Sequence, residues 1–419
     1  MISWIRNLIF KSEFNRNVAK LVTGTTSANL ITLFTLPILA RIYSVENFGQ
    51  FQLLLSLITI FIAISSLKYE MTIPLPKEQD VSDNLFGVAF LSLLVISGLL
   101  LVIMNSIGGT ILSFYKAGVL TPYRNWICIA VFSAGLFELM NYVLTREKAF
   151  GKIAKFRITQ VLLIQSFAIC FGIILSGFEG LLYSFILGNC ITGLWMIFQA
   201  NLSFSSIKLP LMLEAARKYK KFPLINTPMA LVNTFSMQLP VFMLSAYFSP
   251  EIVGYYMMAN RMISTPMNLI SKSVGRVYYK EASDALHKSG LKLLHTFKYT
   301  ITRVGKLGLV PAVIIILFSP VLIKWFLGDQ WITTGIFMQI MMPWLFFQFI
   351  NLSVGTTFSI INRQEVGFIL IIISVILRYS AMEYWNQTAI IQLTGLSIVA
   401  SFFYISYITT SYVIVRNQV

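Results

Sequence analysis

Arg261 lies inside an apolar stretch, YYMMANRMISTP, at residues 255–266. Ser264, Thr265, Asn268 and Lys272 follow it by three, four, seven and eleven positions, so in a helix all five side chains share one face. A guanidinium binds phosphate oxygens through paired hydrogen bonds, and hydroxyl and amide groups suit sugar hydroxyls. Because a charge at membrane depth is costly unless it faces water or protein, this stripe predicts the lining of a cavity.

Other apolar runs carry isolated polar residues that we expect to line the same cavity: Thr25, Asn29, Ser56 and Asn233. Glu138 is the only carboxylate well inside an apolar run, which makes it a candidate for carrying a coupling proton. Arg41 and Arg378 lie nearer the outer ends of their runs and are candidate outer-side cations. A structural alternative exists for each charge. Arg261 can pair with a carboxylate or carbonyls on a neighbouring helix, Glu138 can have a structural role, and Arg41 can snorkel to the outer interface. For Arg378 a structural and a functional interpretation are equally open.

The composition predicts that these polar residues sit in a membrane protein. The chain has 419 residues, of which 57% are hydrophobic and 11% charged, with a mean hydropathy of +0.76. Its unbroken apolar runs approach the roughly 20 residues that a helix needs to span a bilayer, and they lack the alternation of a barrel strand. We therefore expect an all-α bundle of about twelve transmembrane helices, at 21–42, 50–67, 85–107, 126–145, 158–177, 181–200, 224–247, 252–275, 303–323, 333–357, 366–383 and 390–415.

The distribution of basic residues predicts the topology. If the N-terminus is cytoplasmic, 26 of the 32 Lys and Arg residues fall on the inner side, as the positive-inside rule requires. We expect both termini in the cytoplasm and no cleavable signal peptide. The net charge of +16 then reflects topology and contact with anionic lipid, so no nucleic-acid partner is implied.

An internal repeat predicts two related halves. A shift of 205 residues aligns LARIYSVENFGQF at 39–51 with LSAYFSPEIVGYY at 244–256, and this offset equals six predicted spans. We expect an N-terminal six-helix half at 1–207, a cytoplasmic linker at 208–223 and a C-terminal six-helix half at 224–419, enclosing a central cavity. Transporters built from such parallel repeats bind substrate between the halves. By this offset Ser56 is the counterpart of Arg261, so only the second half carries the charge.

The sequence lacks the usual signatures of catalysis, metal binding and ATP hydrolysis. No GxxxxGK[ST] motif occurs, and no nucleophile triad or carboxylate pair stands out at membrane depth. Three scattered cysteines and the neighbouring His287 and His295 do not make a metal-ligand pattern. We therefore expect a protein that is not an enzyme and has no metal or cofactor, with coupling to H⁺ or Na⁺ left open.

Three segments resemble bacterial polysaccharide exporters. VGYYMMANRMISTPMNLI (253–270) resembles the eighth span of that group, LKYEMTIPLPKEQDVSDNLF (67–86) its inner loop after span two, and LARIYSVENFGQF its first outer turn. The most similar members are O-antigen flippases of the Wzx type, in the superfamily that also holds lipid II flippases and the multidrug MATE exporters. This group often has several cavity cations, whereas here only Arg261 is at mid-depth.

The resemblance implies a flippase that turns an undecaprenyl-pyrophosphate-linked oligosaccharide from the cytoplasmic to the periplasmic leaflet by alternating access, within lipopolysaccharide biosynthesis. It also implies a polysaccharide polymerase and a chain-length regulator as pathway partners. A cation-coupled small-molecule exporter similar to the MATE branch is the alternative, although a cationic drug should meet carboxylates rather than an arginine. A membrane glycan polymerase or ligase is a third reading, which the short outer loops disfavour.

Overall fold

A computed structural model describes residues 13–114, 118–175, 177–286, 289–361 and 363–417. Helices dominate these ranges, and no strand occurs within them. The twelve helices of 21 residues or more are α1 (Glu13–Ile42), α2 (Val45–Ser65), α3 (Gln79–Ser106), α4 (Arg124–Arg146), α5 (Phe150–Ile174), α6 (Glu179–Gln199), α7 (Thr227–Tyr247), α8 (Pro250–Leu286), α9 (Gly290–Leu327), α10 (Ile332–Val354), α11 (Gln364–Tyr384) and α12 (Ala389–Arg416). The all-α prediction is confirmed, and each predicted span coincides with one of these helices.

Eleven described helices are long and apolar enough to cross a membrane, so the chain is a multi-pass membrane protein. The twelfth long helix, α8, does not meet that criterion because its polar stripe interrupts the apolar run. Its 37 residues nevertheless form one continuous helix around Pro266. The mean hydropathy of α8 is therefore low because one face of the helix is polar.

Several helices extend well past the apolar runs that predicted them. The helix α9 begins at Gly290 rather than near 303, α5 begins at Phe150 rather than near 158, and α8 ends at Leu286 rather than near 275. The added turns are rich in lysine and arginine, which favour helix as strongly as leucine does but lower hydropathy. Hydropathy locates where a run stops being apolar, whereas the hydrogen-bonded helix continues into the charged segment.

Residue contacts divide the chain into two units, Met1–Ala246 and Tyr247–Val419. The prediction placed residues 224–246 in the second half, whereas the contacts place them in the first unit. One hydrogen bond that ties α7 to this unit runs between the Ser56 hydroxyl of α2 and the Gln238 side chain, at 2.8 Å. The division by contact therefore falls at the α7–α8 turn rather than in the basic linker.

Part of the packing pattern of the first unit recurs in the second unit, six helices later. In the first unit α4 packs against α2, α3 and α6, and α5 packs against α6. In the second unit α10 packs against α8, α9 and α12, and α11 packs against α12. The aligned turns also match: backbone N–H groups at Phe48 and Val253 donate to the carbonyls of Ser44 and Ser249 at the two helix starts. The repeat seen in the sequence thus coincides with a partial repeat of helix packing, because the extensive packing of α1 on α5 is not repeated in the second unit.

A short amphipathic helix, Leu209–Lys218, lies in the basic linker and packs on α3. It is joined to the turn after α2, where the Tyr69 hydroxyl donates to the carbonyl oxygen of Ala216 at 3.2 Å. Burial raises the pKa of Tyr69, so the phenol stays protonated and available as a donor. The linker helix is therefore part of the first unit.

Candidate functional site

The polar stripe of α8 is accessible in the folded chain. Arg261, Ser264, Thr265 and Asn268 are partly exposed and Lys272 is exposed. Before Arg261 the helix is buried on all sides, at Val253, Gly254, Tyr256, Met257, Met258 and Ala259. Between residues 261 and 270 only Ile263 is buried, and it lies off the stripe, so the stripe begins where α8 ceases to be enclosed by the protein.

Arg261 makes no hydrogen bond, ion pair or cation–π contact with any of the residues that the structure describes. Pairing with a carboxylate on a neighbouring helix, the structural alternative for this residue, is therefore not observed there. Close to it, the Ser264 hydroxyl donates to the Asn260 side-chain oxygen at 2.8 Å, which leaves the Asn260 amide group free to donate elsewhere. An arginine of this kind has five unused N–H donors at the centre of a polar helix face.

The predicted lining residues of the first unit fall into two groups. Thr25 and Asn29 on α1 are partly exposed, and Asn233 on α7 is exposed, so a ligand can reach them. Ser56 is only 1% exposed, and its hydroxyl donates to Gln238 while accepting from the Gln52 amide at 3.2 Å. The prediction that Ser56 lines a cavity is therefore wrong for this conformation, because the hydroxyl is used to join α2 to α7.

Glu138 is accessible although it lies in a helix that is otherwise largely buried. Between residues 127 and 144 of α4, only Ile129 and Glu138 are exposed. The carboxylate makes no hydrogen bond or direct ion pair within the described ranges, but it interacts electrostatically with Arg157, Glu70 and Lys68. Its predicted stripe neighbours Asn141 and Thr145 instead donate to carbonyl oxygens of their own helix.

Sequence reasoning missed Arg157, which it counted among the residues of an inner basic loop. The structure places Arg157 in the second turn of α5, on an extension of the helix that hydropathy does not detect. Its guanidinium donates to the Gln160 side-chain oxygen at 2.8 Å, and the Gln160 amide donates to Asn189 of α6 at 2.7 Å. The one available signal was the spacing of Arg157 and Gln160, which puts both on one helix face.

The two candidate outer-side cations have different surroundings. Arg41 is exposed at the end of α1. Arg378 on α11 is partly buried, with its guanidinium 5.4 Å from the Phe403 ring centroid, 5.6 Å from Tyr404 and 6.0 Å from Trp344. Its buried Nε has no hydrogen-bond partner in the described part of the chain. Arg378 is therefore enclosed by aromatic rings rather than neutralised by a carboxylate.

No group of three or more His, Cys, Asp or Glu side chains among the described residues has the geometry of a metal site. His295 stacks on Tyr299 with ring centroids 6.2 Å apart, and His287 lies outside the described residues. The expectation that the protein uses no cofactor stays a prediction.

Comparison with known families decides the class of protein. The model for a family described as polysaccharide biosynthesis protein matches residues 38–335, which is more than half of the chain. The chain belongs to the polysaccharide biosynthesis protein family. The match includes the aligned turns, the α4–α5 cluster around Glu138 and the whole polar stripe of α8. No curated protein sequence matches the chain.

Solved structures similar to this family member are membrane transporters. The lipid II flippase MurJ in its inward closed conformation superposes with a TM-score of 0.74 at 14% identity, covering 94% of this chain and 89% of MurJ. An inward-facing multidrug resistance MATE transporter of the MOP superfamily gives 0.67 at 14% identity, covering 95% and 94%. A MOP superfamily transporter from Pyrococcus furiosus, described as having a binding pocket of reversed polarity, gives 0.59 at 13% identity, covering 96% and 95%.

These similarities show the fold, which is that of MOP superfamily transporters with about twelve helices. The expected resemblance to polysaccharide exporters is confirmed at the level of the family, and the expected fold class is confirmed with it. The similar structures are named as transporters and flippases. The expectation that this protein is not an enzyme stays a prediction.

Proposed function

We propose that this protein is a flippase that moves an undecaprenyl-pyrophosphate-linked oligosaccharide repeat unit from the cytoplasmic to the periplasmic leaflet of the bacterial inner membrane. The transport cycle is alternating access, and the product is O-antigen or a related surface polysaccharide. Family membership and a transporter fold support this proposal. The observation that carries it is Arg261, a partly exposed residue on a polar helix face that has no hydrogen-bond or ion-pair partner among the described residues.

The chemistry of the α8 face fits a lipid pyrophosphate. A pyrophosphate cannot enter hydrocarbon bare, and a guanidinium supplies paired, charge-assisted hydrogen bonds to its oxygens. Ser264, Thr265 and Asn268 offer hydroxyl and amide groups on the same face, at one to two helical turns from Arg261. Lys272 adds a second positive charge three turns away. In this proposal the α8 face holds the charged head of the substrate while the lipid tail stays in the bilayer.

The second candidate is a cation-coupled exporter of small molecules, which the exposed carboxylate of Glu138 favours. A cationic substrate requires carboxylates at its binding site, and the α8 face instead carries two positive charges. For this reason we prefer the flippase. Coupling to H⁺ or Na⁺, with Glu138 as the proton carrier, remains a prediction for either function.

Replacing Arg261 tests the proposal. Arg261→Ala should abolish surface polysaccharide while the protein remains in the membrane, and Arg261→Lys should restore only part of it because lysine lacks the paired donors. In nanodiscs, Arg261→Ala should weaken binding of undecaprenyl pyrophosphate by about tenfold or more, since a hydrogen bond to a charged group contributes roughly 1.5–3 kcal/mol.

Lys280→Ala is the matched control, because it removes an exposed positive charge from the same helix away from the stripe. It should leave both the surface polysaccharide and the affinity unchanged. Full surface polysaccharide in cells carrying Arg261→Ala would refute a role for this residue in holding the substrate. Export of cationic dyes with no effect on polysaccharide would support the second candidate.

A further inference from the structure

A second accessible polar cluster lies entirely within the first unit, at the α4–α5 pair. Glu138 lies eight residues before the end of α4, and Arg157 lies seven residues after the start of α5. Both are therefore roughly 10–12 Å along neighbouring helices from the turn that joins them. Both side chains are exposed in the folded chain, and they interact electrostatically with each other.

The two charges do not neutralise each other directly. No ion pair of 4.0 Å or less joins them in the part of the chain that the structure describes. Arg157 is held instead by the Gln160 side-chain oxygen at 2.8 Å, and Gln160 is fixed in turn by Asn189, whose own amide donates to the Phe185 carbonyl at 2.7 Å. Gln160 and Asn189 are buried, so this relay orients the guanidinium from within the protein.

The remaining charged neighbours are already engaged. Glu70 is 3% exposed, accepts from the Ser66 hydroxyl at 2.5 Å and pairs with the Lys68 ammonium at 3.3 Å. The pair has no net formal charge, although Glu70 acts on Glu138 more strongly than Lys68 does. The groups left to meet a ligand are the Glu138 carboxylate, the remaining N–H donors of Arg157 and the partly exposed ring of Tyr142, one turn along α4 from Glu138.

This set of groups selects a neutral ligand with many hydroxyls. A phosphate would be repelled by Glu138 and a cation by Arg157, whereas neighbouring hydroxyls can donate to the carboxylate and accept from the guanidinium together. An aromatic ring beside them suits the apolar face of a pyranose. We propose that Glu138, Arg157 and Tyr142 form a binding subsite for a sugar residue of the transported oligosaccharide, separate from the phosphate-binding face of α8.

The proposed subsite rests on the proposed flippase function. It predicts that the oligosaccharide and the lipid pyrophosphate contribute to the affinity through different residues. Two probes separate the contributions: undecaprenyl pyrophosphate alone, and the lipid-linked oligosaccharide extracted from cells that lack this protein. Wild-type protein in nanodiscs should bind the glycan-bearing lipid more tightly than the bare lipid. Glu138→Ala and Arg157→Met should each reduce affinity for the glycan-bearing lipid by roughly tenfold, since each removes hydrogen bonds to a charged group, and leave affinity for the bare lipid unchanged.

Arg261→Ala should weaken binding of both lipids to the same extent, which distinguishes failure of the phosphate site from failure of the sugar subsite. Lys155→Met, two residues from Arg157 and exposed, is the matched control and should bind both lipids as the wild type does. Equal wild-type affinity for the two lipids would overturn the sugar subsite, as would a Glu138→Ala variant that loses affinity for the bare lipid.

The test also separates sugar binding from proton transfer at Glu138. Glu138→Gln keeps a side-chain acceptor and adds a donor, so a sugar-binding role predicts intermediate affinity and partial export of polysaccharide. A Glu138→Gln variant that binds the glycan-bearing lipid with wild-type affinity but does not export it would overturn the proposal in favour of a coupling role.

Discussion

Gly335→Ala should destabilise the second unit, because Gly335 of α10 packs directly against the backbone of α9. A Cβ added at Gly335 would lie 2.4 Å from the Cα of Pro320 and 2.6 Å from its nitrogen. Packed carbon atoms sit about 3.5 Å or more apart, so one helix would have to move by roughly 1 Å. Both clashing atoms belong to the backbone, and no change of rotamer can relieve them.

The expected loss follows from two opposing effects. Overpacking of this kind costs about 1–3 kcal/mol, whereas exchanging glycine for alanine within a helix contributes about 0.5–1 kcal/mol in the other direction. At the middle of these ranges the net effect is a loss of about 1 kcal/mol, which lowers the melting temperature by roughly 2–4 °C for a unit of 173 residues. The buried Ser319 hydroxyl, which donates to the Gly335 carbonyl at 2.8 Å, should be displaced as well.

Thermal unfolding of the purified protein in detergent, followed by tryptophan fluorescence, measures this loss, because Trp331 and Trp344 are buried in the second unit. Gly98→Ala on α3 is the matched control, because a Cβ there meets no atom within 4 Å. It should leave the melting temperature unchanged or raise it slightly through helix propensity. A Gly335→Ala variant that melts at or above the wild-type temperature would refute the close helix contact.

Two further predictions concern polar groups at the bundle helices. Pro320 has no N–H to donate to the Ile316 carbonyl, and the Gln339 side-chain amide donates to it instead at 2.7 Å. Gln339→Leu should therefore lower the free energy of unfolding by about 1–3 kcal/mol. An unchanged melting temperature would show that another group donates to this carbonyl. Arg378→Leu should change the melting temperature by less than about 3 °C. The loss of cation–π contacts, roughly 0.5–2 kcal/mol, is offset because a buried Nε without a hydrogen-bond partner is removed with them. The same variant should reduce polysaccharide export if Arg378 contacts the substrate. A large fall in melting temperature with normal export would identify Arg378 as a structural residue.

The features that depend on periodicity along one helix were predictable. Every long helix was located from apolar runs, and the polar face of α8 followed from the spacing of Arg261, Ser264, Thr265, Asn268 and Lys272. The helix period places such residues on one face whatever their neighbours are. The six-helix repeat could be predicted because residues 39–51 align with residues 244–256 without a gap, and such an alignment requires no knowledge of the fold.

Features that depend on which helices are neighbours were not predictable from spacing. Ser56 occupies the aligned position of Arg261, yet it is buried because Gln238 of α7 packs against it. Arg378 was expected near the outer interface, and only the placement of α10 and α12 shows that aromatic rings surround it. Side-chain partners on other helices leave no periodic trace in the sequence.

The sequence by itself determined a helical membrane protein of two related halves with one charged, polar helix face, because hydropathy and helical period are local properties of the chain. The tertiary structure decided that Arg261 has no ionic partner among the described residues and that Arg157 lies beside Glu138. Those facts depend on distances between helices that are far apart in sequence, or that are joined by a turn whose geometry cannot be read from the sequence. They are also the facts from which the phosphate face and the sugar subsite are inferred.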